Sequence, residues 1–318
     1  SREVVSYVME QGAIRFVLSA ALSPDHPIAA QVLQHSDHAA VIGLQVADVE
    51  KAFWEATSRG AIEAIPPTEE ADKYGVLRFA AIHSYGNTLI KFIDRTNYCN
   101  NFAPFYQPCQ PLHHNSAGLL TLDHVVANVE PGAMDRWVQF FVEILGFNLL
   151  VYFDHKTIAT EYSALTSKVV QDCTGKIKFP INEPAFGKRK SQIAEYLEYH
   201  CGVGIQHIAL STNNIIETVT KLKASGVEFL HTPKSYYDRL KERVGNIVEP
   251  IEPLAELGIL VDRDQEGYLL QIFTKPIQDR PTLFFEIIQR HGAQGFGEGN
   301  FKALFEAIER EQALRGNL

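Results

Sequence analysis

"IQHIALSTNNIIETVTKLKASGVEFL", residues 205–230, reads as a strand, a polar turn, a helix, a glycine and a second strand. Ile205, His207 and Ala209 alternate onto one face of the strand. Ile215, Ile216, Val219 and Leu222 recur at helical spacing, and Gly226 supplies the stop. "LDHVVANVEPGAMDRWVQFFVEILGFNLLVYF", residues 122–153, repeats the plan, with Trp137, Phe140, Phe141, Ile144 and Leu145 as its buried stripe and Gly146 as its stop. "HAAVIGLQVADVEKAFWEATSRGAIEAI", residues 38–65, repeats it again with Val49, Phe53 and Gly60. Short strand-like runs follow, such as "YGNTLIKFIDR" and "EGYLLQIFTK". Self-similarity at this scale predicts repeated structural units. The expected fold class is α+β: βαβββ modules forming two open barrel-like domains.

With 318 residues the chain exceeds one ordinary core, so two domains are expected. Residues 101–118 carry prolines, polar turn residues and little periodicity, and read as a linker. They separate an N-terminal structural unit, residues 1–100, from a catalytic unit, residues 119–318. The opening residues read as the middle of a strand pair, so the chain is expected to start late relative to its gene product. A net charge of -9 argues against nucleic acid and anionic membrane surfaces as partners. No stretch is long and apolar enough to span a bilayer. The four cysteines show no CxxC spacing, which predicts free thiols in a reducing cytoplasm.

Both C-terminal modules place a histidine in their first strand, His124 and His207. Aligned on the glycine stop, the N-terminal module has Val41 there, so the strand itself does not need histidine. A third element, "LFFEII", places Glu286 between phenylalanines and isoleucines. An isolated carboxylate there would cost several kcal/mol, about the desolvation penalty of one buried ion. Two histidines and a carboxylate from three strands form the donor set that holds non-haem iron and leaves a face open. The plainer alternatives are satisfied core histidines and an edge or salt-bridged glutamate. Nothing in the spacing alone brings the three together.

The blocks "LDHVVANVEPGAMDRWV", "EYSALTSKVV", "KFPINEPAFGKRKSQIAEYLEYHCGVGIQHIAL" and the run from "GYLLQIFTK" through "LFFEIIQRHGAQGFGEGNFKALFEAIEREQALRGNL" cover most of residues 119–318. They closely resemble the 4-hydroxyphenylpyruvate dioxygenase family of the vicinal oxygen chelate superfamily; the N-terminal half is compatible and less distinctive. The resemblance implies that His124, His207 and Glu286 bind Fe(II). It implies oxidative decarboxylation of a 2-oxo acid by O2, ring hydroxylation and side-chain migration to homogentisate, a step of tyrosine and phenylalanine catabolism. It assigns Phe273 and Phe296 to the substrate ring, and Ser167, Pro180, Asn182, Gln192, Gln206 and Gln271 to the pocket. Strand alternation points Gln206 away from the metal, against that assignment. A homo-oligomer is expected.

Rival readings are hydroxymandelate synthase, another reaction on the same fold with zinc or nickel, and a metal-free binding module. "GFGEGN" also suggests a nucleotide loop, but Asn300 stands where GxGxxG needs glycine. His113 and His114, and the run Lys188, Arg189, Lys190, read as solvated loops. Asn300 is expected to cap a C-terminal lid helix whose stripe is Phe301, Leu304, Phe305 and Ile308.

Overall fold

The computed structural model describes residues 3–99, 101–109, 116–153, 164–185 and 190–316. His113, His114, Lys188 and Arg189 lie outside them, as do the side chains of Leu304 and Phe305. The chain opens with a hairpin of β1 (Val4–Gln11) and β2 (Ile14–Ala21), followed by α1 (Pro27–His35). The first complete module is β3 (Val41–Gln45), α2 (Val49–Ser58), β4 (Glu63–Asp72), β5 (Gly75–His83) and β6 (Leu89–Asp94). The second is β7 (Leu119–Asn128), α3 (Met134–Gln139) continued by a π-helical turn (Phe140–Ile144), β8 (Asn148–Phe153), β9 (Ala164–Gln171) and β10 (Lys178–Ala185). After α4 (Gln192–Tyr199), the third runs β11 (Gly204–Thr212), α5 (Ile215–Ala224), two short helices α6 (Leu240–Val244) and α7 (Ile251–Leu257), then β12 (Leu260–Arg263), β13 (Tyr268–Phe273) and β14 (Phe284–His291). The chain closes with α8 (Phe301–Leu314).

Each module lays its strands in the same order. β3-β6-β5-β4, β7-β10-β9-β8 and β11-β14-β13-β12 all pair the first strand in parallel with the fourth. The local causes match the sequence. Asp48 and Asn214 cap α2 and α5 by accepting from the N–H three residues on, and Phe53 and Val219 point into the core. Gly60, Gly146 and Gly226 all have positive φ where the helical segments end. The second module departs from the other two at its helix, where the π turn inserts between Gln139 and Gly146 and turns Phe141 fully into the core.

The decisive pairing joins β7 to β11, antiparallel, and fuses the last two modules into one eight-stranded sheet. The N-terminal strands form separate two- and four-stranded sheets. Accordingly Val41 on β3 is half exposed, whereas His124 and His207 on β7 and β11 are buried.

The ends of α1 and α4 meet through histidines. His35 Nδ1–H donates to the His200 carbonyl at 2.6 Å, and the two rings stack at 4.5 Å. Burial, then the neighbouring His35, lowers the His200 pKa to about 4 from 6.5. The unfolded chain therefore takes up this proton first, and stability falls as pH drops from about 6.5 toward 4. Chemical unfolding is expected to give a protein about 2 kcal/mol less stable at pH 5 than at pH 7.5 from this group. His200→Phe should flatten that dependence; an unchanged slope would reject the assignment.

Candidate metal and substrate site

Three strands of the fused sheet converge on one cavity. Ala209 of β11 pairs with His124 on one side and Glu286 on the other, which sets the register of all three ligands. Glu286 Oε2 lies 3.2 Å from His124 Nε2 and 3.4 Å from His207 Nε2. The three candidate ligand atoms fall within 4.8 Å of one another, and all three residues are buried.

Two β-bulges make the histidines face inward with their neighbours. Between Ile205↔Ala127 and His207↔Val126, Gln206 is the extra residue on β11. Between Ala209↔His124 and Leu210↔Leu122, Asp123 is the extra residue on β7. A bulge lets adjacent residues share a face, which simple alternation forbids. Each extra residue then holds its neighbour's ring. His124 Nδ1–H donates to Asp123 Oδ1 at 2.7 Å, and His207 Nδ1–H donates to Gln206 Oε1 at 2.9 Å. With Nδ1 occupied, each ring presents Nε2 to the cavity, the arrangement that fixes a metal-binding tautomer. This corrects the expectation that Gln206 points away: it lines the cavity.

The electrostatics fit a cation. Burial works against ionising Glu286, but the two imidazoles outweigh it and bring its pKa down. Burial likewise disfavours His124 as imidazolium, but Glu286 and Asp123 raise it to about 8. Burial prevails at His207, which is lowered. Glu286 Oε1 is buried with no hydrogen-bond partner. A divalent cation would give the orphaned oxygen a partner. The residues fit the metal.

The cavity is lined by every expected pocket residue except Gln271. Ser167 and Asn182 are register partners on β9 and β10, and Pro180 sits two residues before Asn182. Asn182 Nδ2 donates weakly to Asn128 at 3.4 Å. Gln192 opens α4, whose cap is Ser191. Phe296 meets His124 edge-on at 5.0 Å, and Phe273 lies across from Glu286 in the register. Gln271 is buried on β13, its amide packed against Gly297, with Oε1 unpartnered. Phe301 lines the cavity from the start of α8. Asn300 does not serve the expected cap: its side-chain oxygen accepts from Tyr236 Oη at 2.5 Å and from Arg243 at 3.4 Å.

Sequence reading missed Val126, Phe153, Val169 and Phe284 in the wall. Parity held the signal for two of them, since Val126 follows His124 by two and Phe284 precedes Glu286 by two. It also missed Asp123 and Arg290, which form a two-pronged ion pair, both contacts at 2.8 Å.

A cupped sheet of paired βαβββ modules with three side chains on its inner face that could hold a metal defines a class. The sequence profile of the Glyoxalase/Bleomycin resistance protein/Dioxygenase superfamily matches residues 121–272. The chain is 43% identical to a 4-hydroxyphenylpyruvate dioxygenase of Yarrowia lipolytica, covering all of this chain and 84% of the relative. It is 44% identical to one of Dictyostelium discoideum, covering all of this chain and 90% of the relative. A solved structure of a mutant 4-hydroxymandelate synthase from Streptomyces coelicolor superposes with a TM-score of 0.83 at 33% identity, over 98% of this chain and 88% of that one. The chain belongs to the 4-hydroxyphenylpyruvate dioxygenase family. Among the described residues no helix is long and apolar enough to cross a membrane.

Proposed function

We propose that this chain is an Fe(II)-dependent dioxygenase converting 4-hydroxyphenylpyruvate and O2 to homogentisate and CO2. The observation that carries the reading is the buried triad of His124, His207 and Glu286, facing one aromatic-walled cavity. The iron would activate the 2-oxo acid and dioxygen and supply the redox chemistry of decarboxylation and ring hydroxylation. The chain's own residues bind, orient and exclude water. Asp123 and Gln206 hold the two imidazoles by Nδ1, so that Nε2 faces the substrate end of the cavity. Phe273 and Phe296 would hold the substrate ring, and the apolar wall from Val126, Val169 and Phe153 keeps that end dry. Ser167, Asn182 and Gln192 offer hydroxyl and amide groups for the distal phenol, with Pro180 shaping the wall between them. Gln206, its oxygen committed to His207, would present its N–H donors to a substrate oxygen. Gln271 would act through Gly297, beneath the loop that carries Phe296.

In this reading residues 1–100 are structural, 101–118 link, and 119–318 carry the chemistry, with α8 as a lid. Cys109, Cys173 and Cys201 are exposed free thiols, which supports a cytoplasmic setting. Exposed Tyr7, Met9 and Leu18 on the first hairpin support burial against a second copy.

Anaerobic addition of Fe(II) and 4-hydroxyphenylpyruvate should produce a weak visible charge-transfer band, and admission of O2 should yield homogentisate. Hydroxymandelate as the product would replace this reading with that of the 4-hydroxymandelate synthases, one of which shares the fold closely.

A further inference from the structure

Arg290 is committed in two directions. Its Nε and Nη2 grip both oxygens of Asp123, each at 2.8 Å, and Asp123 in turn holds His124. Its Nη1 donates to the carbonyls of Ala293 at 3.2 Å and Gly295 at 2.6 Å. Those carbonyls belong to the turn that delivers Phe296, and the guanidinium also lies over the Phe296 ring at 5.7 Å. The opposite side of the same turn is held by Asp264, whose Oδ2 accepts from the N–H groups of Gln294 and Gly295 at 2.8 Å. Phe296 then packs edge-on against His124. A closed circuit results: imidazole, carboxylate, guanidinium, turn, phenyl ring and back to the imidazole.

We infer that Asp123 and Arg290 are positioning residues that set the metal ligand His124 and the substrate-facing Phe296 as one unit. The inference rests on the metal reading given under the proposed function. The geometry requires both ends. Five guanidinium N–H groups in a rigid fork can satisfy a two-pronged carboxylate and two carbonyls together, whereas an ammonium cannot hold that planar pattern. The pair is mostly buried, so its hydrogen bonds face little competition from water. Asp264 also accepts from the N–H groups of Glu266 and Gly267 in its own turn, but it makes no hydrogen bond to His124 or Asp123, and so it provides a control for the turn alone.

The test uses metal-depleted full-length enzyme titrated with Co(II), followed by the visible Co(II) bands, then with 4-hydroxyphenylpyruvate without O2. No turnover enters either readout. Wild type must bind Co(II) in a Glu286-dependent way; if it does not, the metal reading fails and this inference is not what failed. Given that binding, Arg290→Lys should weaken Co(II) affinity about tenfold, within the 10- to 100-fold seen when outer partners of ligands are lost. It should weaken substrate affinity about tenfold as well, because the ring-covering side chain is misplaced. Asp264→Asn should weaken substrate binding alone. In a Phe296→Ala background, Arg290→Lys should add less than about twofold to the substrate loss, since coupled sites are not additive. Should Arg290→Lys not fold, Asp123→Asn keeps the volume and an acceptor for His124, and the same paired losses are expected. Additive substrate losses, or an arginine change that moves only one of the two affinities, would overturn the inference.

Discussion

Replacing Glu286 with alanine is expected to leave a folded protein that no longer retains metal and no longer turns over. Among the described residues Glu286 supplies the only carboxylate facing the two Nε2 atoms, from a position that is 3% exposed. Two neutral imidazoles remain in the variant, and a divalent cation loses its charge partner in a low-dielectric site. Losing merely an outer hydrogen-bond partner of a ligand costs about 10- to 100-fold in affinity, so loss of the ligand itself should exceed about 100-fold. Glu286→Gln should behave almost as badly, because it keeps the volume and one oxygen but not the charge. Metal content after gel filtration, measured beside a thermal melt, checks this. A variant with wild-type metal and product formation would mean that the triad is not the site.

Gly267→Ala is expected to be the most damaging single methyl group near the cavity. A Cβ there would stand 1.9 Å from the His291 carbonyl oxygen and 2.9 Å from the Ala293 nitrogen, both backbone atoms. The glycine closes the turn between β12 and β13, where Asp264 N–H donates to the Gly267 carbonyl at 3.0 Å. It is what allows that turn to lie on the start of the Phe296 loop. Overpacking costs about 1–3 kcal/mol where flexible side chains absorb it; backbone cannot, so about 3 kcal/mol or more is expected, together with weakened substrate binding. Denaturant midpoints of the two proteins measure it, and a shift below about 1 kcal/mol would show that the turn can lift away.

The parts of this molecule written in local periodicity were readable from the chain. Helical spacing, glycine stops and two-residue alternation gave the modules, and comparing them isolated His124 and His207 against Val41. What alternation could not show is where it breaks. Asp123 and Gln206 are extra residues in bulges, and a bulge is a property of the pairing between β7 and β11, not of either strand alone. Arg290 was hidden for a similar reason. It shares a face with Glu286 by parity, but its partner Asp123 lies 167 residues away. Asn300 looked like a cap because of its place before an apolar stripe. Tyr236 and Arg243, brought in by the segment between α5 and β12, claimed its side chain first. The convergence of the three ligands needed the β7–β11 seam, which no short motif encodes.

That seam has a consequence for the order in which the working enzyme can come into being. One module owns His124, and the next owns both His207 and Glu286. A chain with only the earlier module folded offers a single ligand, and the later module alone offers two. Capture of a metal by all three side chains would therefore wait until both modules are complete and zipped together. Metal retention would thus report on assembly, and a bound ion would stabilise only the finished molecule by mass action. Half-made chains would be spared a passenger they have no cavity to contain.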